Sequence, residues 1–111
     1  MREVVIVVST RTAIGAFQGT LSSVSAVELG AALVRRLLGD SGVEGYQIDE
    51  VILGQALTAG AGQNPVRQTA LKAPPPQHTV PAFTLNKVCG SDLKAAQLAY
   101  QVRSLRAATT T

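Results

Sequence analysis

The sequence predicts an α/β fold, a layered arrangement of a short parallel sheet with flanking helices, and three observations lead there. An unbroken β-branched run, Val4-Val5-Ile6-Val7-Val8, opens the chain; such runs belong to strands covered on both faces of a parallel sheet. Strand-like and helix-like stretches then alternate, as they do where helical crossovers join parallel strands. Cap residues, prolines and glycines punctuate the periodic stretches at their ends. At 111 residues the chain fits one domain, spanning residues 1–111, and is long enough to bury roughly two thirds of the surface that its unfolded form exposes.

In order, the first predicted strand is Val4–Val8. Residues 9–23 form a glycine-punctuated connection without helical periodicity. Ser25 and Glu28 have the spacing of a capping box, and the helical pattern after them runs to Leu38, before Gly39. At 100° per residue Glu28, Arg35 and Arg36 share a polar sector, while Val27, Leu29, Leu33, Val34, Leu37 and Leu38 fill most of the rest, so this helix is expected to be largely covered. The adjacent arginines read as its solvated side rather than as a phosphate contact. Residues 40–47 read as a linker and Val51–Gly54 as a short buried strand. Asn64 followed by Pro65 supplies an N-cap and a first helical position, predicting a helix from Pro65 to about Ala73. Pro74-Pro75-Pro76 stops that helix and forms a stiff connector. Val80–Leu85 is the third predicted strand. Ala95, Leu98, Ala99, Val102 and Leu105 then fall on one face of a third helix, which gives way to a tail at residues 107–111.

Composition excludes several function classes. Hydrophobic residues make up 46% and charged residues 15%, a balance that supports a packed core rather than disorder. The net charge of +3 comes from scattered basic residues, and two Tyr, two Phe and no Trp leave little to stack on bases, so nucleic acid is not an expected partner. One cysteine rules out an internal disulfide, and one cysteine with one histidine cannot build a zinc site of the usual kind. No apolar run approaches the ~20 residues that span a bilayer, and no signal segment opens the chain, so a cytoplasmic location is expected. Gly60 and Gly62 partly imitate a dinucleotide fingerprint, but Pro65 replaces its third glycine and the region about twenty residues onward lacks an acidic residue for ribose.

The residue that bears chemistry is Cys89, at the junction between the third predicted strand and the third helix. Unpaired amide N–H groups and the positive end of a helix dipole favour an anion at such a turn, which suits a thiolate nucleophile. Cysteine is also among the most often buried residue types, so position alone leaves packing and catalysis both open. Asp92, in the first turn, opposes a thiolate: at ~6 Å and an effective dielectric of ~20 the repulsion is on the order of 2–3 kcal/mol before screening. His78, the only histidine, reads as a solvated loop residue rather than as a base for Cys89.

Three blocks then resemble one family in order and in spacing. The segment Asn86-Lys87-Val88-Cys89-Gly90-Ser91-Asp92-Leu93-Lys94-Ala95 resembles that around the acyl-accepting cysteine of thiolases of the acetyl-CoA acetyltransferase type. Arg11-Thr12-Ala13-Ile14-Gly15-Ala16-Phe17-Gln18-Gly19 and Ala59-Gly60-Ala61-Gly62-Gln63-Asn64-Pro65-Val66-Arg67-Gln68 are similar to two earlier segments of the same family. The resemblance covers about residues 3–103. It implies a three-layer fold with strand order 3-2-1 and two further strands beyond the first, Cys89 as catalytic nucleophile, coenzyme A thioesters as substrates with no bound cofactor, and a homo-oligomer. In Arg11 and Gly15 it implies a floor for the site, where the residues themselves read as a surface loop. The implied chemistry is Claisen condensation of acyl-CoA units, or thiolysis of a 3-ketoacyl-CoA as in fatty acid metabolism. The second cysteine, histidine and asparagine that the family uses belong to later segments, and Asp92 stands where the family pattern has glycine. The expectation is therefore a truncated N-terminal thiolase domain, inactive by itself; the alternative is a non-catalytic remnant or association module in which Cys89 packs.

Overall fold

The computed structural model describes residues 3–73 and 80–109; the triple proline and His78 lie outside the described residues. The first helix, α1, spans Ala26–Ser41 and starts as its capping box dictates. The Ser25 hydroxyl accepts from the Glu28 N–H at 3.1 Å, and the Glu28 carboxylate accepts from the Ser25 N–H at 3.4 Å. The helix does not stop before Gly39. It runs three residues further and ends at Gly42, whose φ of 68° is the left-handed conformation that closes a helix. Gly39 is tolerated inside the last turns at about 1 kcal/mol, while an Arg36–Asp40 ion pair of 2.9 Å spans it. Ser41 Oγ donates to the Leu38 carbonyl and accepts from the Val43 N–H, fastening the exit.

A 3-10 turn at Gly45–Gln47 leads into strand β1, Val51–Gly54, which matches its predicted limits. Helix α2, Pro65–Lys72, follows a loop, and strand β2, Ala82–Leu85, occupies the inner part of the predicted third strand. The two strands pair in parallel, with Val51 opposite Ala82 and Gly54 opposite Leu85. Helix α3 is Ser91–Thr109; it continues as far as residue 109 into the stretch expected to be a tail. Helix α2 lies against both strands and carries α1, whereas α3 packs on β1. The α/β class is as predicted.

Side chains of modest size set how closely these layers approach. Among the described residues Val27, Ala31, Val66, Ala70, Ala73, Val80 and Ala95 form the buried core, with Pro65 buried beside Val66. A Cβ on Gly30 of α1 would fall 2.9 Å from the Thr69 methyl of α2, so the two helices touch at a point where one has no side chain. Val66, 2% exposed, contributes about 1.5–3 kcal/mol by its burial alone. The Arg35 guanidinium reaches the Lys72 carbonyl at 2.7 Å. It therefore satisfies an orphan acceptor at the end of α2 instead of being left entirely to solvent.

Two expectations about burial and the sheet are corrected. Val4–Val8 forms no strand among the described residues. Val5, Ile6 and Val7 are 63%, 89% and 68% exposed, so the run is neither laddered nor covered on both faces, and the described sheet has two strands rather than three. β propensity supplies a backbone able to extend, but a strand exists only where a neighbour takes its N–H and C=O groups. The run instead borders an open cleft of about 600 Å³, which Val34 and Leu38 of α1, Ile52 of β1 and Val102 of α3 also line. The apolar face of α1 is consequently half-buried rather than covered. On α3, likewise, Ala95 is buried and Leu98 and Val102 are half-buried, but Ala99 is exposed and Leu105 is 67% exposed.

Candidate functional site

Between β2 and α3 the chain turns within five residues, and Cys89 sits at the middle of a 3-10 turn, Val88–Gly90. Its thiol is free and exposed. The turn is built almost wholly by side chains that bond backbone. Asn86 Oδ1 accepts from the Val88 N–H at 2.8 Å, and Asn86 Nδ2 donates to the Ala56 carbonyl at 3.1 Å, so one amide ties the turn to the loop after β1. Ser91 Oγ accepts from the Lys87 N–H at 2.9 Å and donates to the Val88 carbonyl at 2.7 Å. The Gly90 N–H donates to the Lys87 carbonyl. Ser91 itself is 6% exposed, and both of its polar capabilities are used, as a buried hydroxyl requires.

These bonds hold Val88 at φ 49°. For a β-branched residue this left-handed conformation is an outlier, of the kind that costs on the order of 1–3 kcal/mol and persists only where the surroundings over-determine it. A sharp, strained strand-to-helix turn is one way a fold presents a nucleophile at the surface. Here it puts Cys89 immediately after the strained residue and two residues before the first helical turn. Asp92 is exposed, and its carboxylate accepts from the Leu93 N–H at 2.7 Å within that turn.

Close packing beneath the turn comes from Gly54, the last residue of β1. A Cβ placed there would fall 2.6 Å from the carbonyl carbon, the oxygen and the Cβ of Ser91, well inside any tolerable contact. The start of α3 thus rests directly on the end of β1. In the sequence Asn86, Val88 and Ser91 figure only as members of the block around Cys89, and Gly54 only as the end of a strand, with no role of their own. The asparagine two residues before Val88 has the spacing of a side chain that closes its own turn, a signal that was legible; the role of Gly54 depends on a residue 37 positions away and had none.

The other predicted blocks fare differently. The Asn64 block is drawn to the junction through β2. Asn64 caps α2 by accepting from the Arg67 N–H, its amide donates to the Ala82 carbonyl at 3.0 Å, and it accepts from the Thr84 hydroxyl at 2.9 Å. Thr84 Oγ1 in turn accepts from the Val66 N–H. Gln68 Nε2 binds the Ala61 and Gln63 carbonyls, closing the glycine-containing loop on itself. Residues 11–16 have no regular structure, and Arg11 is exposed. Among the described residues no group of three His, Cys, Asp or Glu side chains is placed to hold a metal ion, and no helix is long and apolar enough to cross a membrane.

Comparison with known proteins agrees with the three blocks. The family described as "Thiolase, N-terminal domain" matches residues 4–109. An acetyl-CoA acetyltransferase of Pseudomonas aeruginosa is 62% identical over 101 residues, covering 91% of this chain and 25% of that protein. One from Allochromatium vinosum is 62% identical over 98 residues, covering 88% of this chain and 25% of the relative. A probable acetyl-CoA acetyltransferase of Escherichia coli is 57% identical over 101 residues, again 91% of this chain and 25% of the relative. The chain thus spans about a quarter of the length of these curated relatives.

Proposed function

Because the chain belongs to the thiolase family, we propose that it carries the acyl-accepting nucleophile of an acetyl-CoA acetyltransferase, and that this nucleophile is Cys89. The observation that supports the assignment is an exposed thiol directly after a strained residue, on a turn whose backbone is bonded at Asn86 and Ser91.

The chemistry is acyl transfer. The Cys89 thiol gives its proton to a base, and its sulfur attacks the carbonyl carbon of an acyl-CoA. The bond from that carbon to the coenzyme A sulfur breaks, and coenzyme A leaves as a thiolate that takes up a proton. The product is a thioester on Cys89. In condensation, a base takes a proton from the methyl carbon of a second acetyl-CoA, and that carbon bonds to the thioester carbonyl carbon. The bond from the carbonyl carbon to the Cys89 sulfur breaks, leaving a thiolate that takes up a proton; in thiolysis the steps run in reverse. The 111 residues hold one cysteine and one histidine, and family resemblance gives the acid and base roles to segments not matched here. Acylation of Cys89 is therefore expected without turnover.

Incubation of the purified chain with acetyl-CoA, followed by intact mass measurement, tests the proposal. One acetyl group should appear on the parent and none on Cys89→Ser, with no steady cleavage of acetoacetyl-CoA by either. An unmodified parent, or an adduct that survives the substitution, would sink the assignment.

A further inference from the structure

We infer that Gly54 and Ser91 act together as positioning residues for Cys89, an assignment that rests on the proposed role of Cys89 as nucleophile. Two independent observations meet at this pair. The absence of a side chain at Gly54 lets the first residue of α3 sit where any Cβ would overlap it at 2.6 Å. Ser91, 6% exposed, has its Cβ and carbonyl against that glycine, and its hydroxyl is the group that joins the Lys87 N–H to the Val88 carbonyl across the turn.

The consequence is mechanical. The end of β1 is fixed by its ladder to β2, since Gly54 pairs with Leu85 and the Gln55 N–H donates to the Leu85 carbonyl at 3.0 Å. Leu85 is in turn the residue from which the chain departs toward Cys89. The strand floor and the turn above it are therefore linked by the ladder at Leu85, by the Lys87–Ser91 hydrogen bond and, between Ser91 and Gly54, by close packing, and a side chain at position 54 would push Ser91 away. Reaction with a thioester demands that sulfur meet the carbonyl carbon within a narrow range of distance and direction. Alkylation by a small soluble reagent demands only exposure.

The two demands separate positioning from folding. Gly54→Ala and Ser91→Ala are compared with Gly30→Ala, whose added Cβ meets the Thr69 methyl at 2.9 Å in the contact between α1 and α2, a close-packed site on elements outside the turn. For each folded chain, the rate of Cys89 acetylation by acetyl-CoA is measured beside its rate of alkylation by iodoacetamide. Gly54→Ala and Ser91→Ala should each acetylate at least tenfold more slowly than the parent while alkylating within about threefold of it. Gly30→Ala should acetylate at the parental rate whatever its melting temperature.

Should Gly54→Ala fail to fold, Ser91→Ala, which keeps the Cβ and removes both hydroxyl bonds, carries the test by itself. Acetylation at the parental rate in the folded variants overturns the positioning role, as does an equal loss in Gly30→Ala. A parent that accepts no acetyl group overturns the nucleophile assignment, and the positioning role with it.

Discussion

Two regions of the described chain contrast in how apolar and polar residues are used. Residues 4–8 hold the most strand-like composition in the sequence, yet Ile6 is 89% exposed and the run joins no ladder among the described residues. Residues 86–91 include an asparagine, a lysine, a glycine and a serine, and form a tightly bonded turn that keeps Val88 at φ 49°. The lesson is that composition sets what a backbone can do, whereas partners decide what it does. At the first region the N–H and C=O groups find no neighbouring strand among the described residues. At the second, two side chains supply bonds locally and a glycine admits a helix end from above.

Substitutions put this contrast to the test. The largest effect is expected at the packed side of the molecule, where Val66→Asp would bury a carboxylate at a position 2% exposed. An unpaired buried charge costs several kcal/mol, comparable to the whole stability of a small domain. Circular dichroism should show no cooperative thermal transition; a melt close to the parental one would mean that this core is not formed.

Asn64 probes the polar network that ties α2 to β2. It accepts from the Arg67 N–H and the Thr84 hydroxyl, donates to the Ala82 carbonyl, and has φ 44°. Asn64→Ala should cost about 2–3 kcal/mol in urea unfolding, from the lost cap and bonds together with left-handed strain. Asn64→Gly should cost about 1 kcal/mol less, because glycine adopts that conformation without strain. Equal losses for the two would show that backbone strain contributes nothing at this position.

Smallest of all should be the effect of Ile6→Ser in the first region, within about 0.5 kcal/mol, as for surface positions generally. A loss above about 1.5 kcal/mol would show that the run is docked in solution and would erase the contrast. The open cleft bounded by Val34, Leu38, Ile52 and Val102 is where such docking would be felt.

How much of the site was legible follows from the range of each interaction. Ser25 with Glu28, and Asn64 with Pro65, announced their helices because a cap and the amides it satisfies lie within four residues. The end of α1 was misplaced because two glycines, Gly39 and Gly42, competed for one role, and the Arg36–Asp40 pair and the Ser41 bonds favour the later one. The role proposed for Cys89 rests on its surrounding motif, and its place at the strand-to-helix junction was legible from the ends of the two periodic stretches. The strain at Val88 and the clearance at Gly54 were not, since the first depends on how Asn86 and Ser91 are oriented and the second on the packing of a strand end against a helix start.

By itself, then, the sequence determined the α/β class, the starts of α1 and α2, the position of β1, and a cysteine at a strand-to-helix junction, since periodicity and capping act over one or two turns of chain. Only the tertiary structure decided that Val4–Val8 stays outside the sheet, that α1 is half-covered, and that Gly54 lies under Ser91. Each of these is a contact, or a missing contact, between segments far apart in the chain, and which surfaces meet is settled only when the elements pack.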